Sequence, residues 1–146
     1  MGQKRKTLQL DVQGFEDLIT KLDSLGGNVK GVVADALEQA AETIEHDTIE
    51  AVKKSNLPAG GKYSKGDTEK SIVRNAKVKW EGETATVKVG FDYDKPGAGG
   101  FLITGTPKMA PDQALKKIYK SKKYMKDIQN DISDVIQDAI NETMGG

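Results

Sequence analysis

The sequence predicts an α+β fold in which a small antiparallel β-sheet packs against helices. Apolar and polar residues alternate on both sides of a glycine turn between residues 72 and 91, which is typical of a β-hairpin with one buried face. Apolar residues recur at helical spacing from 29 to about 54 and again from 125 to 140. Because an isolated hairpin is only marginally stable in water, we expect the long N-terminal-half helix and the C-terminal helices to cover its apolar face.

The hairpin turn is predicted at residues 81–84, where Gly82 supplies a positive φ. Pairing Trp80 with Glu83 or with Ala85 keeps both apolar sets on one face of the sheet, whereas a shift by one residue does not. The residues predicted to face the core are Ile72, Ala76, Val78 and Trp80 on the first strand and Ala85, Val87, Val89 and Phe91 on the second.

The N-terminal part is predicted to hold a flexible tail, a strand and a short helix. The tail covers residues 1–6, and the alternation at 7–12 predicts a short edge strand of the same sheet. Residues 15–25 have helical spacing and are followed by two glycines, which stop the helix.

The long helix is predicted to begin after Asn28, a good N-cap, and to run to about Lys54. Ile49 falls on its polar side, where a single copy would gain nothing from it. We therefore interpret Ile49 as a subunit contact, although an isolated surface hydrophobe is an equally good interpretation. The predicted inward stripe is Val29, Val33, Leu37, Ala40, Ile44 and Ala51.

Two glycine-rich segments, 55–66 and 93–100, are predicted to be mobile loops. After the first loop, Asp67 or Thr68 is expected to cap one helical turn. After the second, residues 101–107 are expected to form a short strand or buried segment.

Two helices are predicted in the C-terminal part. The first starts at residues 110–112 and presents Leu115, Ile118 and Tyr119 on one face. The pattern weakens at 121–123 and then resumes in the clearest amphipathic segment of the chain, with Met125, Ile128, Ile132, Val135, Ile136, Ala139 and Ile140.

Composition predicts a single domain over residues 1–146 with a thin core, since only 36% of residues are hydrophobic. The absence of cysteine excludes disulfides, thiolate zinc sites and cysteine nucleophiles. No apolar run suits a membrane span or a signal peptide, so we expect a cytosolic chain with no membrane partner. The net charge is zero, but acidic blocks (35–50, 127–142) alternate with basic ones (53–79, 116–126), which favours packing between copies or contact with a polyanion.

The inventory of catalytic residue types predicts that the chain is not an enzyme and takes no cofactor and no metal. The single histidine, His46, lies between Glu45 and Asp47 on a helix, where adjacent side chains do not face each other, so a solvated histidine is expected. Glu42 and Glu45 are expected to be solvated on the outer face. No nucleophile elbow or phosphate-binding loop motif is present.

The basic run at 116–126 is the strongest candidate for contact with nucleic acid. Lysines with interleaved tyrosines can neutralise phosphates and stack on bases. The zero net charge and the lack of a recognition motif argue against sequence-specific binding, and lysines beside an apolar stripe are also typical of any solvated helix. The residues expected to lie near DNA without reading its sequence are Lys116, Lys117, Lys120, Lys122 and Lys123.

Five short segments occur in an order that extends over nearly the whole chain: 10–18 (LDVQGFEDL), 33–41 (VADALEQAA), 57–58 (LP), 66–72 (GDTEKSI) and 105–111 (GTPKMAP). In this order they resemble segments of the tail-completion, or head-tail joining, proteins at the neck of tailed phages and prophages. The chain departs from the family pattern at Lys65, where the family has threonine, and at Thr104, where it often has glutamate. The leucine that is usual in the fourth segment is here Thr68 or Glu69.

The resemblance implies a structural role in a ring of copies, six in many such rings, between the capsid connector and the tail tube. The implied partners are further copies of the chain, the connector or head-completion protein, and the tail-tube or terminator proteins. The chain would be made in the host cytoplasm and end in the neck of the virion. The assembly contacts that we predict are Ile49, Lys62, Lys65, Gly66, Phe101, Gly105, Thr106, Pro107 and Met109.

The alternative hypothesis is a small nucleic-acid-binding or regulatory module. It would use the lysine-rich stretches 53–79 and 116–126. Strong binding of DNA by a monomer would favour this alternative over the ring.

Overall fold

A computed structural model describes residues 7–58, 64–92, 95, 97–107 and 110–145. Within those residues, six helices and one three-stranded antiparallel sheet confirm the predicted α+β class. The predicted tail at 1–6 and parts of both predicted loops lie outside the described residues. The elements in chain order are β1 (Thr7–Asp11), α1 (Glu16–Ser24), α2 (Val29–Lys53), α3 (Lys65–Lys70), β2 (Lys79–Glu81), β3 (Thr84–Gly90), α4 (Gly99–Thr104), α5 (Gln113–Lys120) and α6 (Lys122–Gly145).

The sheet has the strand order β1-β3-β2, so β3 is the central strand. Trp80 pairs with Ala85 across the turn, which confirms one of the two predicted registers, and Gly82 in that turn has a φ of 64°. On the other side of β3, Leu10 of β1 lies opposite Val87. The core-facing residues of β3 are at most 1% exposed, so the predicted apolar face of the sheet is the buried one.

The first strand of the hairpin is shorter than the alternation from residue 72 predicts. Ile72 forms only an isolated bridge with Phe91, and regular pairing begins at Lys79. The six residues 73–78 therefore lie opposite four residues of the partner strand, and Asn75 in this bulge has a φ of 51°. The bulged segment has two residues more than the segment opposite it. Because this excess is an even number, side chains before and after the bulge point to the same face of the sheet, and the predicted apolar residues pack against the core.

Helices α1 and α2 lie where helical spacing predicts them. The side-chain oxygen of Asn28 accepts the N–H of Gly31 at 3.1 Å and so caps α2. The predicted inward residues of α2 are buried, apart from Val29, which is half-buried. The predicted placement of Ile49 on a polar face is wrong, because its side chain is half-buried and packs against the core. The sheet and several helices contact α2 from different directions. More of its surface is therefore covered than the single predicted row of inward residues implies.

Residues 97–104 differ from the predicted loop and strand, whereas the alternative prediction of a buried segment holds for Leu102 and Ile103. In place of the end of a loop and a short strand, the chain forms the helix α4, and Ala98, Gly99 and Gly100 are buried. A Cβ atom added at Gly99 would overlap the ring of Phe91, so this glycine allows close packing rather than a flexible turn.

The two C-terminal helices are confirmed. The carboxylate of Asp112 accepts the N–H of Leu115 at 3.0 Å and caps α5. Ser121, with an extended backbone, separates α5 from α6 where the sequence pattern weakens. The buried face of α6 consists of Ile128, Ile132, Ile136 and Ile140.

Candidate assembly surface

The resembling segment 66–72 is bonded to the start of the helix that leads to the next resembling segment at Gly105, and we call residues 64–72 together with 97–107 the α3–α4 corner. The Thr68 hydroxyl oxygen accepts the N–H of Ala98 at 2.8 Å, and Thr68 has no exposed surface. The Ser71 hydroxyl donates to the carbonyl oxygen of Thr68 at 2.6 Å. The first of these bonds fixes the start of α4 on α3, although 30 residues separate Thr68 from Ala98 in sequence, and the second lies within the end of α3.

Helix α3 begins inside the segment that the sequence assigns to the first loop. The hydroxyl of Ser64 accepts the N–H of Asp67 at 3.0 Å, so Ser64 takes the capping role predicted for Asp67 or Thr68. Of the predicted assembly contacts in this part, Gly66 is exposed and Lys65 is half-buried. Lys62 lies outside the described residues.

Among the described residues of the corner, Phe101 is the large hydrophobic side chain that is exposed. It is 46% exposed, whereas Leu102 is 4% and Ile103 is 1% exposed. The N–H of Asp112 donates to the carbonyl oxygen of Leu102 at 2.7 Å, which links α4 to the start of α5. Phe101 is therefore presented on a short helix held from both of its ends.

The chain after α4 continues along the surface. Gly105 has a φ of 77°, in the region that favours glycine, and Pro107 is exposed. Gly105 and Thr106 are half-buried, while the predicted contact Met109 lies outside the described residues. Ile49 lies on α2, outside the α3–α4 corner, and the structure does not test its predicted role as a subunit contact.

A second surface is formed by lysines on both sides of the break at Ser121. We call it the α5–α6 ridge. Its lysines are all exposed, and in the described part of the chain no salt bridge joins them to an acidic side chain. On α5 they lie away from the face that buries Leu115, Ile118 and Tyr119. The ridge consists of Lys116, Lys117, Lys120, Lys122 and Lys123.

The tyrosines of the basic run point into the protein, which corrects the expectation that they could stack on bases. Tyr119 is 8% exposed, and its hydroxyl is 2.9 Å from the hydroxyl of Thr48. Burial raises the pKa of Tyr119 to about 12. The hydroxyl of Tyr124 donates to Asp47 Oδ2 at 2.6 Å, and burial together with this bond raises the pKa of Tyr124. Both tyrosines attach the C-terminal helices to α2.

The other lysine-rich stretch, 53–79, is partly neutralised by neighbouring carboxylates. Lys53 Nζ lies 3.9 Å from Glu50 Oε2, and Lys77 Nζ lies 3.9 Å from Glu38 Oε1. Arg74 contacts Glu69 at 4.0 Å. Exposed pairs of this kind add little stability, but they reduce the positive charge that this stretch presents.

Two glutamates of α2 have a role that the sequence does not predict. Glu45 Oε1 accepts the N–H of Asn75 at 2.6 Å, and Glu38 Oε2 accepts the N–H of Val78 at 2.9 Å. The expectation that Glu45 is simply solvated is therefore wrong, whereas Glu42 is exposed. The seven-residue spacing of the two glutamates, which places them on one helix face, is the only sequence signal that points to this role.

Comparison of the chain with protein-family models, with characterised proteins and with solved structures finds no match. Within the described ranges, no helix combines the length and the apolar character needed to cross a membrane. Nor does any group of histidine and carboxylate side chains among those residues have an arrangement that could hold a metal ion.

Proposed function

We propose that the chain is a structural component of a phage or prophage particle, a head-tail joining subunit that forms a ring at the neck between connector and tail tube. The observation that carries this proposal is the α3–α4 corner. The segment 66–72, which resembles a family motif, is joined there to Ala98 by a buried hydrogen bond, and α4 leads from Ala98 to the second resembling segment, which begins at Gly105. A helix fixed in this way presents the exposed Phe101 in one position.

The corner has the physical properties of a protein contact. Phe101 offers a large apolar surface with few rotatable bonds, and aromatic side chains are enriched among the residues that dominate interface energy. The helix that carries it is anchored at Ala98 and at Leu102, so little conformational entropy is lost when a partner covers it. A neighbouring copy, the connector or the tail tube is the partner that we propose for this surface.

That the chain is not an enzyme is part of the same proposal. The side chain of His46 is 75% exposed, and its Nδ1 lies 3.6 Å from Asp47 Oδ1, which is longer than a hydrogen bond. Asp47 Oδ2 is occupied by the Tyr124 hydroxyl, a contact that holds α6 on α2. This arrangement supports a structural role for Asp47 rather than proton transfer through His46.

The α5–α6 ridge favours the second candidate, a nucleic-acid-binding or regulatory module. Its exposed lysines can neutralise phosphates, and its inward tyrosines restrict the contact to the phosphate backbone. In the other basic stretch, 53–79, carboxylates lie beside Lys53 and Lys77, whereas Lys54, Lys70 and Lys79 are exposed and form no salt bridge with a described residue, so it keeps part of its support for the same candidate.

Immunogold labelling of the particles that the encoding phage or prophage produces tests the proposed function. We expect the label at the head-tail junction, and its absence from particles would contradict the proposal. In a complementation assay, Phe101→Ala should leave unjoined heads and tails, because the contact surface is lost. Leu25→Ala is the matched control, since Leu25 is another exposed apolar residue, at 38%, and lies outside the corner.

A further inference from the structure

Helices α2 and α6 enclose an open groove of about 260 Å³, which we call the α2–α6 groove. Its floor is apolar and consists of Ala36, Ala40 and Val135. Asp131 and Asp134 form its rim on the α6 side; both are exposed, and no salt bridge joins them to a described basic residue. The groove thus offers an apolar surface beside two exposed carboxylates of α6.

The α2 side of the groove is uncharged, because Gln39 and Thr43 line it. Gln39 also lines a neighbouring groove, whose residues include the exposed carboxylates of Asp35 and Glu42 together with Lys77. The negative charge of the α2–α6 groove itself therefore comes from Asp131 and Asp134 on α6.

The chain cannot neutralise this groove with its own ridge. Eight residues of α6 separate Lys123 from Asp131, which is about 12 Å along the helix, and twelve separate Lys122 from Asp134, which is about 18 Å. Both distances exceed the Debye length of about 8 Å at physiological ionic strength. Helix α6 is continuous between them, so the two charged surfaces stay apart in one copy.

We propose that the α5–α6 ridge of one copy docks into the α2–α6 groove of a second copy. The chemistry of lysine matches the groove, because its methylene stem can lie on the alanine and valine floor while its ammonium group reaches the aspartates of the rim. Different surfaces of the two copies meet, so the contact is head-to-tail, and such contacts generate rings when the rotation closes. The inference rests on the proposed assembly into a ring and names the surfaces that would form it.

A second copy fits the ridge better than a nucleic acid does. The chain has a net charge of zero, so as a whole it exerts little long-range attraction on a polyanion. The α2–α6 groove of a second copy supplies negative charge to the lysines of the ridge. The tyrosines of the basic run, which could have stacked on bases, are instead bonded to α2. Binding of DNA to the ridge is the competing interpretation, and the experiment below distinguishes it from docking of a second copy.

A charge-swap experiment tests the contact. The ridge variant carries Lys116→Glu and Lys120→Glu, and the groove variant carries Asp131→Lys and Asp134→Lys. Sedimentation velocity over a concentration series should show self-association weakened about tenfold or more in each, because the ridge charge falls from +5 to +1 in the first variant and the groove charge changes from −2 to +2 in the second. An equimolar mixture of the two should associate again as pairs, because the unchanged ridge of the groove variant then meets the unchanged groove of the ridge variant.

The control carries Lys79→Glu and Lys88→Glu, which make the same charge change at exposed lysines of the sheet. It should associate like the wild-type chain, and circular dichroism should show that all variants fold, since every substituted residue is exposed.

The proposal is overturned if the wild-type chain stays monomeric at every concentration, or if mixing restores nothing. It is equally overturned if the ridge variant associates normally while losing affinity for duplex DNA, which would identify the ridge as a polyanion surface. Immunogold label at the neck together with normal association of the ridge variant would reject this contact and leave the proposed function standing.

Discussion

At the scale of single residues, the α3–α4 corner depends on small side chains and buried hydroxyls. Gly99 lies against the ring of Phe91, which is 1% exposed and has no space to move away. The hydroxyl oxygen of Thr68 accepts a hydrogen bond from the N–H of Ala98, which would otherwise be a buried donor without a partner. The position of the exposed Phe101 is therefore set by buried neighbours that no partner touches.

Gly99→Ala should lower the free energy of unfolding by about 1 to 3 kcal/mol, because the added methyl group overlaps the buried Phe91 ring. Gly66→Ala is the matched control: Gly66 lies in α3, and an added Cβ meets no atom within 4 Å. Helix propensity then predicts no loss of stability and a gain of up to about 1 kcal/mol. Urea denaturation followed by circular dichroism measures both, and equal effects would contradict the packing assigned to Gly99.

The roles of Gly99 and Glu45 are two residue-level features that the sequence alone does not predict. A glycine that supplies a positive φ, such as Gly82, and one that permits close approach, such as Gly99, give the same signal in a single sequence, and only the first role is predicted. A helical wheel likewise places Glu45 on an outer face but does not show that Asn75 will lie against it. Tertiary neighbours decide both cases.

At the scale of elements, α2 organises the chain. It contacts the sheet and the helices α1, α3, α5 and α6. Through Glu38 and Glu45 it also provides hydrogen-bond acceptors for the bulge at 73–78, whose N–H groups do not all pair with β3. The bulge is therefore held by a helix instead of a strand, which explains why β2 is limited to three residues.

Glu45→Ala and Glu38→Ala should each speed hydrogen exchange at the amide that loses its acceptor, that of Asn75 and that of Val78 respectively. A hydrogen bond to a charged acceptor predicts an increase of up to about tenfold. Glu42→Ala serves as the control on the same helix, because no described backbone N–H donates to its carboxylate. If all three variants exchange alike, the glutamates do not hold the bulge.

Periodicity predicts the longer elements well and the short ones poorly. The long helices α2 and α6 and the Trp80–Ala85 register are specified by many repeats of one pattern. Helix α4 has six residues, two of them glycine, and it owes its shape to contacts with α3 and α5 rather than to a pattern. For the same reason, the ridge lysines are predicted from sequence, but the groove is not, because it requires the packing of two helices far apart in the chain.

At the scale of the whole molecule, charge is segregated rather than mixed. The α5–α6 ridge and the α2–α6 groove share helix α6, and the net charge of the chain is zero. A monomer gains nothing from keeping such charges more than a Debye length apart, whereas a chain of contacting copies brings each ridge to a groove. We therefore interpret the segregation as a property that serves assembly.

A reconstruction of the particle neck by electron cryo-microscopy tests the central claim most directly. We expect this chain in a closed ring between connector and tail tube, with the α5–α6 ridge of each copy in the α2–α6 groove of the next. A neck that contains no copy of the chain would contradict the account.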